Sequence, residues 1–134
     1  MPNTQTTNGT SAFALLLRTD GTFTLLDWPT TPIPFEAIYT AINCDQIEPV
    51  TITPALTLWL DEDAPAKGAA LNMHATKLHA LNGHTAQAYY GNAVFTGGTD
   101  SHGRRAGLTP SQVLDLIEHH LTGALLIPAQ RTAN

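Results

Sequence analysis

The sequence predicts an α+β fold: a small, mostly antiparallel sheet in the order hairpin, helix, two strands, helix, strand, helix, with the helices packed on it. Three observations lead there. Asp20-Gly21 sits between two apolar runs, the strongest short-range signal for a β-hairpin. Phe35, Ile38, Tyr39 and Ile42 recur at i, i+3, i+4 and i+7, an amphipathic helical stripe. Hairpins dominate and no chain of βαβ units is present, which favours α+β over a doubly wound sheet.

Each element has its own signal. Residues 1–10 are polar and read as a tail. The apolar run 12–17 and the alternating run 22–28 are the hairpin strands, with Phe23 and Leu25 on one face. Their Asp-Gly junction suits a type I′ turn, which needs positive φ at both central residues. Pro29, Pro32 and Pro34 form a connector, and Pro34 fits the first position of the helix that carries the Phe35 stripe. Asn43-Cys44-Asp45 ends that helix. Residues 47–53 and 55–60 are strands; Pro49 and Pro54 lack ladder donors, so the first of the two belongs at an edge or carries a bulge.

A loop from Asp61-Glu62-Asp63 leads to a helix over 71–81, with Leu71, Ala75, Leu78 and Leu81 inward and Asn82-Gly83 as its stop. Residues 86–96 form the next strand, where Gly91 marks a bulge or a close backbone approach and Tyr89 and Tyr90 face opposite ways. After the Gly-rich loop 97–107, Thr109 as N-cap, Pro110 in the first turn and Gln112 as the capping-box partner open the last helix. Its buried face is Val113, Leu114, Leu116, Ile117 and Leu121, and Gly123 follows its end. Residues 124–127 add a short strand or pack loosely. The organisation is thus a tail over 1–10, one domain over 11–123 and a tail over 124–134.

Composition narrows the function classes. Hydrophobic residues make up 43% of 134, enough for a core, whereas charged residues are only 13%. A net charge of −5 with six Lys and Arg argues against duplex DNA as a partner. It leaves room for a small anionic ligand held by one or two Arg and backbone N–H groups. Cys44 is the single cysteine, so no intrachain disulfide and no cysteine-based zinc site is expected, and a reducing, cytoplasmic setting is the simpler reading. No segment reads as a signal peptide or a membrane span. Low charge and exposed aromatics hint at a homo-oligomer.

Several residue groups are candidates for chemistry, and each has a plain structural alternative. Asp61, Glu62 and Asp63 supply oxygens for a cation, but neighbours at a strand end diverge, so a solvated turn is favoured. His74, His79 and His84 are five apart, about 140° per step on a helix, so they do not share a face as metal ligands would. His119-His120 sit near a helix C-terminus, where positive charge suits the dipole. Asn72 caps a helix or turns its amide to a ligand, with the Thr76 hydroxyl on the same turn. The segment Gly97 to Arg105 is the most ligand-like: its glycines expose backbone N–H groups, and Arg104-Arg105 concentrate positive charge suited to phosphate. It lacks the Lys-Ser/Thr ending of a Walker loop. Ser101 beside His102 does not make a nucleophile and base, since neighbours rarely align. Tyr90 or Tyr89, with Trp59, offers a ring for stacking.

Taken in order, Ile47-Glu48-Pro49-Val50, the acidic Asp61-Glu62-Asp63, Asn72-Met73-His74-Ala75-Thr76 and Gly91-Asn92-Ala93-Val94 give the chain a recognisable outline. It resembles the uncharacterised family called domain of unknown function 3846, over roughly residues 12–122. Asp63-Ala64 departs from the Glu-Gly or Asp-Gly typical of that family. Members occur largely in bacteriophages, plasmids and actinobacteria, so the resemblance implies an accessory protein of a mobile element. No catalytic residues, cofactor or metal are expected. The leading expectation is a non-enzymatic protein that sequesters a small anionic ligand such as a nucleotide, with Asn72, Thr76, Tyr90, Arg104 and Arg105 as ligand-binding residues. The alternatives are a module that inhibits a host protein through the strand over 47–53, and a metal-dependent hydrolase built on the acidic triplet.

Overall fold

The computed structural model describes residues 13–28, 35–85, 87–99, 106–119 and 125–126. Strands β1 (Phe13–Leu17) and β2 (Thr22–Asp27) form the expected hairpin, with Leu17 opposite Phe23. The turn differs from expectation. Gly21 N donates to Arg18 O (3.1 Å), Arg18 N donates to Thr22 O (2.8 Å), and Gly21 alone in the turn has positive φ, at 90°. The Asp20 carboxylate accepts from Thr22 N at 2.9 Å and from its hydroxyl at 2.7 Å. An aspartate that bonds forward in this way holds a three-residue loop, with glycine taking the bulge position, rather than a type I′ turn.

Helix α1 (Phe35–Ile42) buries Ile38 and Ile42 and ends at Asn43, which adopts φ 63°. Strands β3 (Ile47–Thr53) and β4 (Leu56–Asp61) pair antiparallel, with a register shift between Thr51 and Thr53. Helix α2 (Met73–Leu81), strand β5 (Ala93–Thr96), helix α3 (Pro110–His119) and strand β6 (Leu125–Leu126) complete the order. The sheet reads β3-β4-β5-β1-β2-β6, all antiparallel except β6, which runs parallel to β2. β3 is therefore an edge strand and also irregular, as expected from Pro49 within it and Pro54 just after it. β5 is shorter than expected: Gly91 at φ 86° breaks the extended run, and Tyr90 makes only an isolated bridge to Leu71. A Cβ at Gly91 would stand 3.2 Å from that of Ala64, which is the close approach the glycine permits.

Both faces of the sheet are covered. Leu15, Leu17, Phe23, Leu58, Leu60 and Phe95 pack with Ala75 and Leu78 of α2 and with Val113 and Leu116 of α3. Ala14, Leu16, Trp59 and Val94 pack on the other face with Ile38 and Ile42 of α1. The register makes this consistent: Leu15 pairs with Leu25 and Phe95, and Phe95 pairs with Leu58, so one set of alternating positions lies on one face. A strand covered on both sides has no polar side, which is why β1 reads as a continuous apolar run.

Two inward assignments are corrected. Leu81 is 68% exposed and Leu114 59% exposed. At about 100° per residue, Ala75, Leu78 and His79 occupy one arc of α2, and Val113, Leu116 and Ile117 the matching arc of α3. Leu81 and Leu114 swing outside those arcs, and His79 takes the buried place. The capping box forms as expected: Gln112 N donates to Thr109 Oγ1 (3.1 Å), and Thr109 N donates to Gln112 Oε1 (3.0 Å). Leu121 and Gly123 lie outside the described residues.

Candidate functional site

The stretches that carry the family resemblance meet at one end of the sheet, where β1 and β4 finish and β5 begins. Asn72 is its centre. It is fully buried and caps α2, its Oδ1 accepting from Ala75 N at 3.1 Å. Its Nδ2 donates to Leu17 O (3.1 Å) and to Gly91 O (3.0 Å), and its backbone N–H donates to Tyr89 O. One side chain thus joins α2, β1 and the segment before β5. Thr76 Oγ1 accepts from Tyr89 N at 3.0 Å. Tyr89 is buried and Tyr90 is 37% exposed, on opposite faces as expected. The structure thus brings Asn72, Thr76 and Tyr90 together, with the hydrogen bonds of the first two directed into the fold. Trp59 is buried, its indole N–H donating to Thr96 Oγ1 at 2.9 Å, so it presents no stacking face.

The loop over 61–70 closes this end. Asp61 Oδ1 accepts from Asp63 N at 2.9 Å, and Oδ2 accepts from Lys67 Nζ at 2.8 Å. Partial burial pushes the Asp61 carboxyl up, but the Lys67 ammonium and the Asp63 N–H outweigh it and leave it below the ordinary range. The acidic triplet is thus the start of a hydrogen-bonded turn, consistent with its plain reading. A hollow of about 220 Å³ lies beside it, with Thr19, Asp61, Ala64, Gly91 and Asn92 among its walls. Asn92 Oδ1 accepts from Thr19 N at 3.1 Å and ties the hairpin turn to the entry of β5.

Sequence spacing missed a second cluster. His79 and His84 stack with ring centroids 4.4 Å apart and planes 10° from parallel. His79 Nε2 meets Tyr89 Oη at 3.2 Å, and His84 Nε2 donates to Ile52 O at 2.7 Å. His79 Nδ1 is buried without a partner among the described residues. Burial and then the neighbouring His84 hold His79 below the usual imidazole value, and burial raises the Tyr89 phenol. Helical geometry correctly separates the two histidines on a continuous helix. Gly83, at φ 89°, reverses the chain and folds His84 back over His79; the Asn82-Gly83 stop was the signal available.

The Gly-rich segment leaves from the other end of β5. Gly97 N donates to Ala106 O (3.0 Å), and Ala106 N donates to Gly98 O (2.9 Å), which closes a stem. The stem glycines answer to packing: a Cβ on Gly98 would strike Pro54 O, and one on Gly107 would lie 2.7 Å from the Trp28 side chain. Residues 100–105, with Arg104 and Arg105, lie outside the described residues. The stem borders a hollow of about 200 Å³ lined by Pro54, Ala55, Thr99 and Gln112.

No described helix is long and apolar enough to cross a membrane. A family model described as "Domain of unknown function (DUF3846)" matches residues 12–121. No curated protein and no solved structure matches the chain.

Proposed function

This chain belongs to the DUF3846 family, and from that premise we propose that it is a non-enzymatic accessory protein of a phage or mobile element that captures and sequesters a small anionic ligand such as a nucleotide, in a counter-defence role. The observation that carries the reading is the closed stem of the Gly-rich loop beside the first turn of α3. Arg104 and Arg105 belong to the loop that this stem holds. The positive end of a ten-residue helix favours an anion there. The Thr109–Gln112 box keeps that end in place, and Gln112 Nε2 donates to Ala55 O at 2.8 Å across the hollow. Asn72 and Thr76 act as scaffold in this reading, and Tyr90 as an exposed ring near them.

Native mass spectrometry of the purified protein, intact and after denaturation, is the test. The expected result is a small mass lost on denaturation at a fixed ratio per subunit, absent from the Arg104→Ala, Arg105→Ala double variant while its circular dichroism is unchanged. A ligand retained by that variant would remove the arginines from the site.

One observation favours a second reading, a module that inhibits a host protein. β3 is an outer strand of the sheet, with Glu48, Pro49 and Thr51 exposed, and such an edge can receive a strand from a partner. A stoichiometric protein partner with no bound small molecule would favour it. The same spectra report whether the protein is a homo-oligomer.

A further inference from the structure

The His79–His84 stack joins three parts of the fold that the ligand reading does not use. His79 comes from the last turns of α2, His84 from the connector after Gly83, and the carbonyl that His84 holds belongs to Ile52 of edge strand β3. Tyr89, further along the same connector, bonds His79 and packs its ring edge-on to it at 5.0 Å. The connector is thus held to β3 through His84 and to α2 through His79, and the two rings stack on each other.

We propose that this stack is an acid-sensitive latch: protonation of His79 releases the connector that seats His84 on β3 and loosens that edge of the sheet.

The geometry dictates the direction. His84 uses Nε2–H on Ile52 O, so its neutral form is sufficient for the latch. His79 bonds Tyr89 through Nε2, and its Nδ1 is buried without a partner among the described residues. Adding a proton gives His79 a buried cationic N–H with nothing to accept it, which is strongly unfavourable. Among the described residues, the titratable groups facing it are His84 and Tyr89 on the connector, and Glu48 on β3 acts in turn on Tyr89. His84 adds repulsion when charged. The hydrogen bonds of the two rings go to a phenol and a backbone carbonyl, not to a carboxylate that would welcome the charge. A shared metal ion is excluded as an explanation for the pair: ring lone pairs lie in the ring planes, and planes 10° from parallel at 4.4 Å do not converge on one point. The depressed proton affinity of His79 agrees with this picture.

Amide hydrogen exchange on the full chain tests it, at about pH 7.5 and about pH 5.5, on either side of the ordinary imidazole value. After correction for intrinsic rates, the amides of Tyr89 and its connector should exchange faster at the acid value, because the opened His79 ring takes a proton more readily than the latched one. The amides of β1 and β5 should hold. His79→Phe keeps a ring against His84 and removes the proton site, and should abolish the acceleration. Should that variant fail to fold, His84→Gln keeps an N–H for Ile52 O and removes the second charge, and should reduce it. In the wild-type chain the His79 ring resonance should titrate over the interval in which exchange accelerates. Uniform acceleration across the sheet, the same acceleration in the variants, or a His79 titration outside that interval would overturn the latch.

Discussion

The Asn72 side chain holds three backbone groups, and no residue of similar size replaces it. Asn72→Ala leaves two carbonyls and one N–H buried without partners, and is expected to lower stability by roughly 2–4 kcal/mol. Asn72→Asp retains the cap oxygen but turns acceptors toward Leu17 O and Gly91 O, so its urea midpoint should fall at least as far. Thr24 gives the opposite sign. Its hydroxyl is buried on the α1 side of the sheet without a partner among the described residues, so Thr24→Val should raise stability by about 1 kcal/mol, read as a higher urea midpoint with unchanged slope. His79 sets a pH dependence. Its proton affinity is lowered in the fold, so the unfolded chain binds the proton first. Its stabilising contribution is complete above the ordinary value of 6.5 and is lost as pH falls from there through the lower folded value. A melting temperature that stays level across this interval in the wild type would contradict it. At this scale the sequence was partly legible. The cap role of Asn72 follows from its position before a helix, but its two long-range bonds depend on where β1 and Gly91 come to lie, which no local pattern encodes.

At the scale of elements, local rules did well wherever the cause is local. The capping box at Thr109 and Gln112, the stop at Gly83 and the edge position of the proline-bearing β3 all depend on backbone chemistry within a few residues. Helix faces were less legible, because a stripe read from apolar letters admits Leu81 and Leu114 and passes over His79. The observed arcs make a contrast that calorimetry can check. Leu78→Ala removes a buried side chain and should lower stability by about 2–4 kcal/mol, whereas Leu81→Lys and Leu114→Lys should stay within about 0.5 kcal/mol of wild type. Thr109→Ala breaks the box at α3 and should remove about 1 kcal/mol. If the ligand reading holds, it should also weaken ligand retention, because the same turn borders the loop stem. The late start of β5 was not legible, since Tyr89 and Tyr90 have strand-forming side chains and only the φ of Gly91 interrupts the run.

Over the whole molecule, one sheet serves two apolar layers, so the layers should not melt separately. Val94→Ala on the α1 side and Leu58→Ala on the α2–α3 side should each shift a single transition to lower temperature without splitting it. Two resolved transitions in either variant would show that the layers are independent. The strand order carries a further consequence, for how the chain reaches this state. β1 with β2 and β3 with β4 are neighbours in sequence and close as hairpins, but the sheet exists only when β5 enters between them. Residues 93–96 are four in number, and they zip against Leu15–Leu17 on one side and against 57–60 on the other. On a ribosome, the two hairpins emerge first and wait with bare inner edges for a short segment made much later. Such distant pairings are slow to form, and waiting edges invite the strands of other chains. A lesion in β5 would therefore be felt first as misassembly of newborn protein, with recovery of soluble material falling more steeply than the stability of the molecules that do mature.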